Sequence, residues 1–169
     1  DYDVSKSFAV WCLGASHHKK KLTKEQIIEV CNGMITPIVL IGGPNEKTLA
    51  EEISNKTVHP SVTNLCGSIS LNQSAYLVKK SAFVLTNDTG IMHIAAAYQK
   101  KIVSFWGCTK PSIGFAPLVT PDKSKMLLSK KSNYPCSKHG KYCRYGCRGC
   151  IKDIHPQEIS KVVLEMCQS

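Results

Sequence analysis

The sequence predicts an α/β protein built on a doubly wound parallel sheet, and three observations support this fold class. Short apolar runs of strand length alternate with amphipathic helical segments along the 169 residues. The apolar runs are continuous, as in strands that are buried on both faces. The conspicuous polar residues follow the ends of these runs, where open parallel sheets bind their ligands. We therefore expect one ligand site at the carboxyl edge of the sheet.

Four strands and five helices are predicted along the chain. The strands are Phe8 to Leu13, Ile38 to Ile41, Ala82 to Leu85 and Ile102 to Trp106. The helices are Thr23 to Met34, Ser70 to Lys80, and segments that begin near Asn45, near Thr89 and at Pro156. Two helices open with a capping box, in which Thr23 pairs with Gln26 and Ser70 pairs with Gln73. Leu71 and, in the last helix, Met166 and Cys167 are expected to face inward.

The most informative segment runs from Asn87 to Ala97 and reads Asn-Asp-Thr-Gly-Ile-Met-His-Ile-Ala-Ala-Ala. It follows a buried strand and turns straight into a helix. The first N–H groups of that helix and the positive end of its dipole form a seat for phosphate. Gly90 lets a ligand approach the backbone closely. An ordinary strand-to-helix junction with Asp88 or Thr89 as N-cap explains the segment alone equally well.

Composition and charge narrow the possible classes of function. The length suits one domain with a real core, at residues 8–169 after a linker at 1–7. No apolar run approaches the roughly 18 residues of a membrane span, and Asp1-Tyr2-Asp3 resembles a frayed linker rather than a signal peptide or a metal site. The missing initiator Met suggests a domain of a longer protein. The net charge of +10 indicates an anionic partner, whether a phosphorylated sugar, a membrane surface or nucleic acid.

Polar turns follow two further strands. Lys19, Lys20 and Lys21 come after a glycine turn and suit a diphosphate, although a lysine run is as often a solvated loop. Glu46 follows Gly42-Gly43 in the first turn of a helix, where it accepts hydrogen bonds from ribose hydroxyls or complements the helix dipole. Because the carboxyl ends of parallel strands meet at one edge, these turns are expected to share a crevice with Gly90.

Five motifs stand in a characteristic order between about Phe8 and Leu118. They are G-A-x(4)-K-x-L from Gly14, V-L-I-G-G-x-x-E from Val39, N-L-C-G-x-x-S-L from Asn64, T-N-D-T-G-I-M-H-I-A-A-A from Thr86, and W-G-x-T-x-P from Trp106. In this order the chain resembles the C-terminal domain of glycosyltransferase family 9, the ADP-heptose:lipopolysaccharide heptosyltransferases and their relatives. The resemblance implies a Rossmann-like domain that forms the C-terminal half of a GT-B fold.

The resemblance also implies roles for particular residues. Lys20 would bind the diphosphate, with Lys19 and Lys21 as neighbouring alternatives. Glu46 would bind the ribose. Asp88, Thr89 and Gly90 would contact the phosphates and the adjacent sugar, while the segment from Gly67 to Leu71 would border the base, adenine or uracil. Since a carboxylate repels phosphate, Asp88 is better placed as a helix cap and as an acceptor for a sugar hydroxyl.

The resemblance implies inverting transfer of a sugar from ADP-heptose or a similar nucleoside diphosphate sugar to lipopolysaccharide core or a related glycan. Donors aimed at the departing diphosphate stabilise the transition state, so no cofactor is required. His93 is either one of these donors or a packed histidine. No catalytic base is identified in this chain. The resemblance places the base and the acceptor in an N-terminal GT-B domain, so we expect this chain alone not to turn over. It also implies a cytoplasmic enzyme at the inner face of the inner membrane.

Nine cysteines fall into two groups. Cys12, Cys31, Cys66, Cys108 and Cys167 are expected to be small buried residues of a reduced protein. Cys136, Cys143, Cys147 and Cys150 share a Cys-rich insert at 134–152, for which a structural zinc site, disulfides and a reduced loop covering the crevice are alternatives, the last being favoured.

The Cys-rich insert also supports a second class of function. It carries five cationic residues among two tyrosines; these are Lys138, Lys141, Arg144, Arg148, Lys152, Tyr142 and Tyr145. Such a segment is compatible with a basic zinc module that binds nucleic acid. A nucleic-acid module has no need of phosphate-seating turns at several strand ends, so the sequence favours the transferase.

Overall fold

A computed structural model describes residues 3–58, 62–131, 134–146 and 149–168. Within these residues the core is a sheet of six parallel strands in the order β3-β2-β1-β4-β5-β6. The strands are β1 (Ala9–Cys12), β2 (Ile38–Ile41), β3 (Val62–Asn64), β4 (Phe83–Asn87), β5 (Lys101–Trp106) and β6 (Ser124–Leu128). This order reverses between β1 and β4, and such a switch point opens a crevice at the carboxyl ends of the strands. The predicted fold class is confirmed.

In the described part of the chain, five α-helices cover the two faces of the sheet. They are α1 (Lys24–Gly33), α2 (Lys47–Lys56), α3 (Leu71–Lys80), α4 (Gly90–Ala97) and α5 (Pro156–Gln168). The apolar sides of α1, α2 and α5 pack with one face of the sheet, whereas α3 and α4 pack with the other. Both predicted capping boxes are formed, at Thr23 and at Ser70. None of the described helices is long and apolar enough to cross a bilayer.

Two strands and two side-chain orientations differ from the sequence prediction. The strands β3 and β6 were not predicted because β3 has only three half-buried residues and β6 is mostly exposed at the sheet edge. Leu71 was expected to face inward, yet it is 65% exposed in the first turn of α3. Cys167 was expected to be buried but is exposed near the end of α5, one residue beyond the inward-facing Met166.

The linker predicted at residues 1–7 is partly attached to the domain. Asp1 and Tyr2 lie outside the described residues. Asp3 accepts hydrogen bonds from the backbone and side chain of Ser5, and Val4 packs partly against the core beneath α3 and α4.

Four of the five cysteines predicted to be buried are buried, and their environment sets their reactivity. Burial raises the pKa of the Cys31 thiol to about 12 and that of Cys66 to about 12. With a pKa of about 12, the fraction of Cys31 side chains that are thiolate at pH 8 is on the order of 10⁻⁴. The thiolate is the form that reacts with alkylating reagents.

We expect iodoacetamide at pH 8 to modify Cys167 rapidly in the folded protein and to leave Cys31 unmodified until denaturant is added. Mass spectrometry of peptides from a time course measures both rates in one sample. Comparable rates at the two cysteines in the folded protein would contradict the buried position of Cys31.

Candidate functional site

A cavity of about 450 Å³ opens at the carboxyl ends of β1, β2 and β4, on the side of the sheet that carries α3 and α4. Three turns that follow strands contribute to its lining, at Gly14–Ser16, Gly42–Gly43 and Thr89–Ile91, together with Ser74 of α3. Its apolar lining comes from Cys12, Ile41, Ile69, Leu71 and Ile94. The cavity thus combines exposed turns with apolar walls at the switch point of the sheet, the position where α/β sheets bind nucleotides.

The N-terminus of α4 faces this cavity without a side-chain cap. Thr89 is the N-cap residue, and its side chain makes no capping hydrogen bond. Its hydroxyl oxygen lies instead 3.2 Å from Thr86 Oγ1 and 3.9 Å from Cys12 Sγ. A Cβ atom added to Gly90 would meet no atom within 4 Å, so the backbone at this turn is open. An uncapped helix start of this kind leaves backbone donors for an anion.

Asp88 was expected to cap α4, but it does not do so, because Thr89 occupies the N-cap position. The Asp88 carboxylate is instead paired with Lys20, with 2.6 Å between Nζ and Oδ2, and both residues are buried. Neither residue lines the cavity. The pair removes the repulsion between Asp88 and an anion at Thr89, one residue along the chain.

The three lysines of the turn have different partners. Lys21 lies 2.6 Å from Glu46 Oε1, and Lys19 donates to the carbonyl of Lys141 at 3.0 Å. Glu46 is buried, and its Oε2 accepts a hydrogen bond from the backbone N–H of Gly43 at 2.9 Å. The turn after β2 closes tightly on this side chain, since a Cβ atom on Gly42 would lie 2.8 Å from that of Glu46. Glu46 therefore connects the Gly42-Gly43 turn to the lysine turn.

Asn87 contributes to the site in a way that the sequence did not reveal. Its amide nitrogen lies 3.3 Å from the carbonyls of Leu13 and Gly14, and its Oδ1 accepts from the N–H of Leu22. The buried Asn87 thus fixes the turn after β1 against the end of β4. The only sequence signal was its place at the start of the Asn-Asp-Thr-Gly segment.

His93 lies on an exposed surface of α4 and is not part of the cavity lining, in contrast to Gly90 and Ile91. It is on the same helix as the proposed phosphate seat but on a different side. A contact between His93 and a ligand therefore requires a ligand that extends beyond the cavity.

The Cys-rich insert brings three thiols together. The sulfur atoms of Cys136, Cys143 and Cys150 all lie within 4.8 Å of one another, and Cys108 packs against them. Hydrogen bonds from the backbone of Tyr145 and from Cys150 lower the pKa of Cys143 although burial opposes this, whereas burial raises the pKa of Cys150. Cys147 lies outside the described residues. His139 stacks near Phe115, with ring centroids 5.9 Å apart.

The insert covers the lysine turn rather than the cavity. Lys141 accepts the hydrogen bond from Lys19, and a Cβ atom on Gly140 would lie 2.7 Å from Cγ and Cδ of Lys20. None of its described residues lines the cavity.

The sequence profile of glycosyltransferase family 9 (heptosyltransferase) matches residues 1–146. The chain belongs to this family. Lipooligosaccharide heptosyltransferase 2 of Haemophilus ducreyi is 36% identical over 96 residues, which are 54% of this chain and 26% of that protein. The protein of the same name from Campylobacter jejuni serotype O:2 is 28% identical over 125 residues, 72% of this chain and 38% of that protein. Family membership favours the transferase over the nucleic-acid module.

Solved structures show the same fold. The E. coli ADP-heptose lps heptosyltransferase II has a TM-score of 0.77 at 22% identity, and the match covers 96% of this chain and 46% of that one. A glycosyl transferase family 9 protein from Veillonella parvula has a TM-score of 0.78 at 18% identity, covering 96% of this chain and 47% of that one. This family 9 chain thus spans less than half the length of these relatives.

Proposed function

We propose that this family 9 chain is the donor-binding part of a heptosyltransferase, and that its cavity holds the diphosphate of ADP-heptose or a similar nucleotide sugar. The uncapped start of α4, with open backbone at Gly90, carries this proposal. Structures of E. coli heptosyltransferase WaaC with ADP and with ADP-2-deoxy-2-fluoro heptose support it from within the family.

The proposed roles follow from charge and position. The backbone N–H groups of Gly90 and Ile91 donate hydrogen bonds to phosphate oxygens. The positive end of the helix dipole attracts the same negative charge. Lys20, held by Asp88, supplies positive charge beside this seat. Each carboxylate oxygen of Glu46 has two lone pairs and accepts one hydrogen bond within the protein. Each oxygen can therefore accept a second hydrogen bond, from a ribose hydroxyl. Ile69 and Leu71 form an apolar wall for the base.

In the proposed inverting reaction, an acceptor hydroxyl attacks the anomeric carbon as the nucleoside diphosphate leaves. Negative charge grows on the leaving group, so donors at Gly90 to Ile91 stabilise the transition state more than the ground state. Asp88 and Glu46 are each paired with a lysine and are unsuited to remove the proton of the acceptor. We assign that base to an N-terminal GT-B domain that also brings a lipopolysaccharide acceptor at the inner face of the inner membrane.

We expect the chain to bind ADP in the absence of added Mg²⁺ or Mn²⁺, because the N–H groups and the dipole at the start of α4, with Lys20 beside them, stabilise the diphosphate. Calorimetry in buffer freed of divalent ions by a chelating resin measures this, with adenosine and AMP as controls that lack the diphosphate. ADP should bind more tightly than either control. Binding that appears only with Mg²⁺ or Mn²⁺, or equal affinity for ADP and adenosine, would contradict the proposal.

A further inference from the structure

The Cys-rich insert is fastened to the lysine turn by several contacts. Between Cys136 and Cys143, the Ser137 hydroxyl accepts from the N–H of Gly140 and Tyr142 and donates to the carbonyl of Tyr142. This closed loop places Gly140, at φ +82°, against the aliphatic stem of Lys20. The Cys108 thiol donates to the carbonyl of Lys19 at 3.7 Å. The conformation of the insert therefore determines the space available to Lys20.

Three thiols hold the two ends of this loop together. Cys136 precedes the loop, Cys143 ends it, and Cys150 lies between them in space. The sulfur of Cys150 is 3.3 Å from that of Cys143 and 4.0 Å from that of Cys136. Sulfur ligands of a tetrahedral zinc ion, with bonds of about 2.3 Å, lie about 3.8 Å apart. Both distances are close to this spacing, so the three thiols converge as the ligands of one metal ion would.

We propose that Cys136, Cys143 and Cys150 bind a thiophilic metal ion, with Zn²⁺ as the preferred ion, and that the bound ion fixes the Gly140 loop on Lys20. Cys143 and Cys150 are buried, and Cys108 packs against the three converging thiols. Loss of the ion frees the loop, and Lys20 then loses the support that holds it towards Asp88. The metal thus acts on the donor site from outside the cavity and makes no contact with the diphosphate.

The metal is tested first without nucleotide. Protein purified under reducing conditions should contain about one zinc ion per chain by elemental analysis, and Co²⁺ in its place should give the absorption bands of cobalt thiolate. The variants Cys143→Ser and Cys150→Ser should lose the metal. Cys167→Ser, which removes an exposed thiol in α5, is the matched control and should retain it. Less than stoichiometric metal in the wild-type protein, or a Cys143–Cys150 disulfide in its place, would overturn the proposal.

The coupling to Lys20 rests on the proposed nucleotide binding and is tested by ADP affinity. Removing zinc should weaken ADP by at least about fivefold, the lower end of usual coupling between sites, and restoring zinc should reverse the loss. Gly140→Ala should retain zinc but weaken ADP similarly, because its Cβ meets Lys20. Gly114→Ala is the matched control, since Gly114 also has a positive φ but open space around it.

The outcomes separate the two proposals. A protein that binds zinc but no ADP under any condition would refute the proposed function and leave the metal site standing. A protein that binds ADP equally well with and without zinc, with Gly140→Ala unchanged, would refute the coupling alone.

Discussion

Lys20→Ala is expected to lower the free energy of unfolding by about 3–5 kcal/mol, because it leaves the buried Asp88 carboxylate without its cation. Denaturation by urea measures this change. The same substitution should weaken ADP several-fold, because it removes the positive charge beside the phosphate seat and leaves the Asp88 carboxylate unpaired. Calorimetry at a temperature where the variant is still folded measures this second effect.

A second variant separates the two effects of Lys20. The combination of Lys20→Met with Asp88→Asn removes both charges while it keeps similar volumes, so it should recover most of the stability but not the affinity. Lys161→Ala is a matched control because it removes an exposed lysine of α5, a helix on the other face of the sheet from the cavity. If Lys20→Ala were as stable as the wild-type protein and bound ADP equally well, the ion pair would have neither role.

Gly90→Val is expected to abolish detectable ADP binding while the protein stays folded. A Cβ atom at Gly90 meets nothing within 4 Å, so the fold has room for the side chain. The methyl groups of valine would occupy the space in which a phosphate approaches the backbone at the start of α4. The melting temperature and calorimetry with ADP together measure the two parts of this prediction.

Two variants of the same helix serve as controls for Gly90→Val. Gly90→Ala adds only a Cβ atom and should give a smaller loss of affinity. Ala97→Val places the same side chain at an exposed position at the other end of α4 and should bind ADP normally. Normal ADP binding by Gly90→Val would show that phosphate does not sit at this turn.

The sequence predicted the central strands and helices because their signals are local. Continuous apolar runs marked β1, β2, β4 and β5, and two capping boxes marked α1 and α3. The edge strands β3 and β6 were not predicted because their composition does not indicate a strand. Pairing with a neighbouring strand stabilises their extended conformation.

The sequence predicted the turns that line the cavity better than it predicted the surroundings of each side chain. Thr89 and Gly90 line the cavity, whereas the other residues predicted to bind substrate do not; these are Lys20, Glu46, Asp88 and His93. The pairing of Lys20 with Asp88 and the position of Gly140 on Lys20 depend on residues far apart in the chain. No local pattern encodes such pairings, and lysine runs in particular carry little information about their partners.

The strand order of the sheet has a consequence for the time course of folding. The neighbours β1 and β4 are separated by three α-helices and two strands along the chain, so their pairing closes a long loop and is expected to occur slowly. A ligand in the cavity touches the turns that follow β1, β2 and β4. Such a ligand would act as a non-covalent cross-link between distant segments, and we expect saturating ADP to lengthen the lifetime of the native state against unfolding and proteolysis.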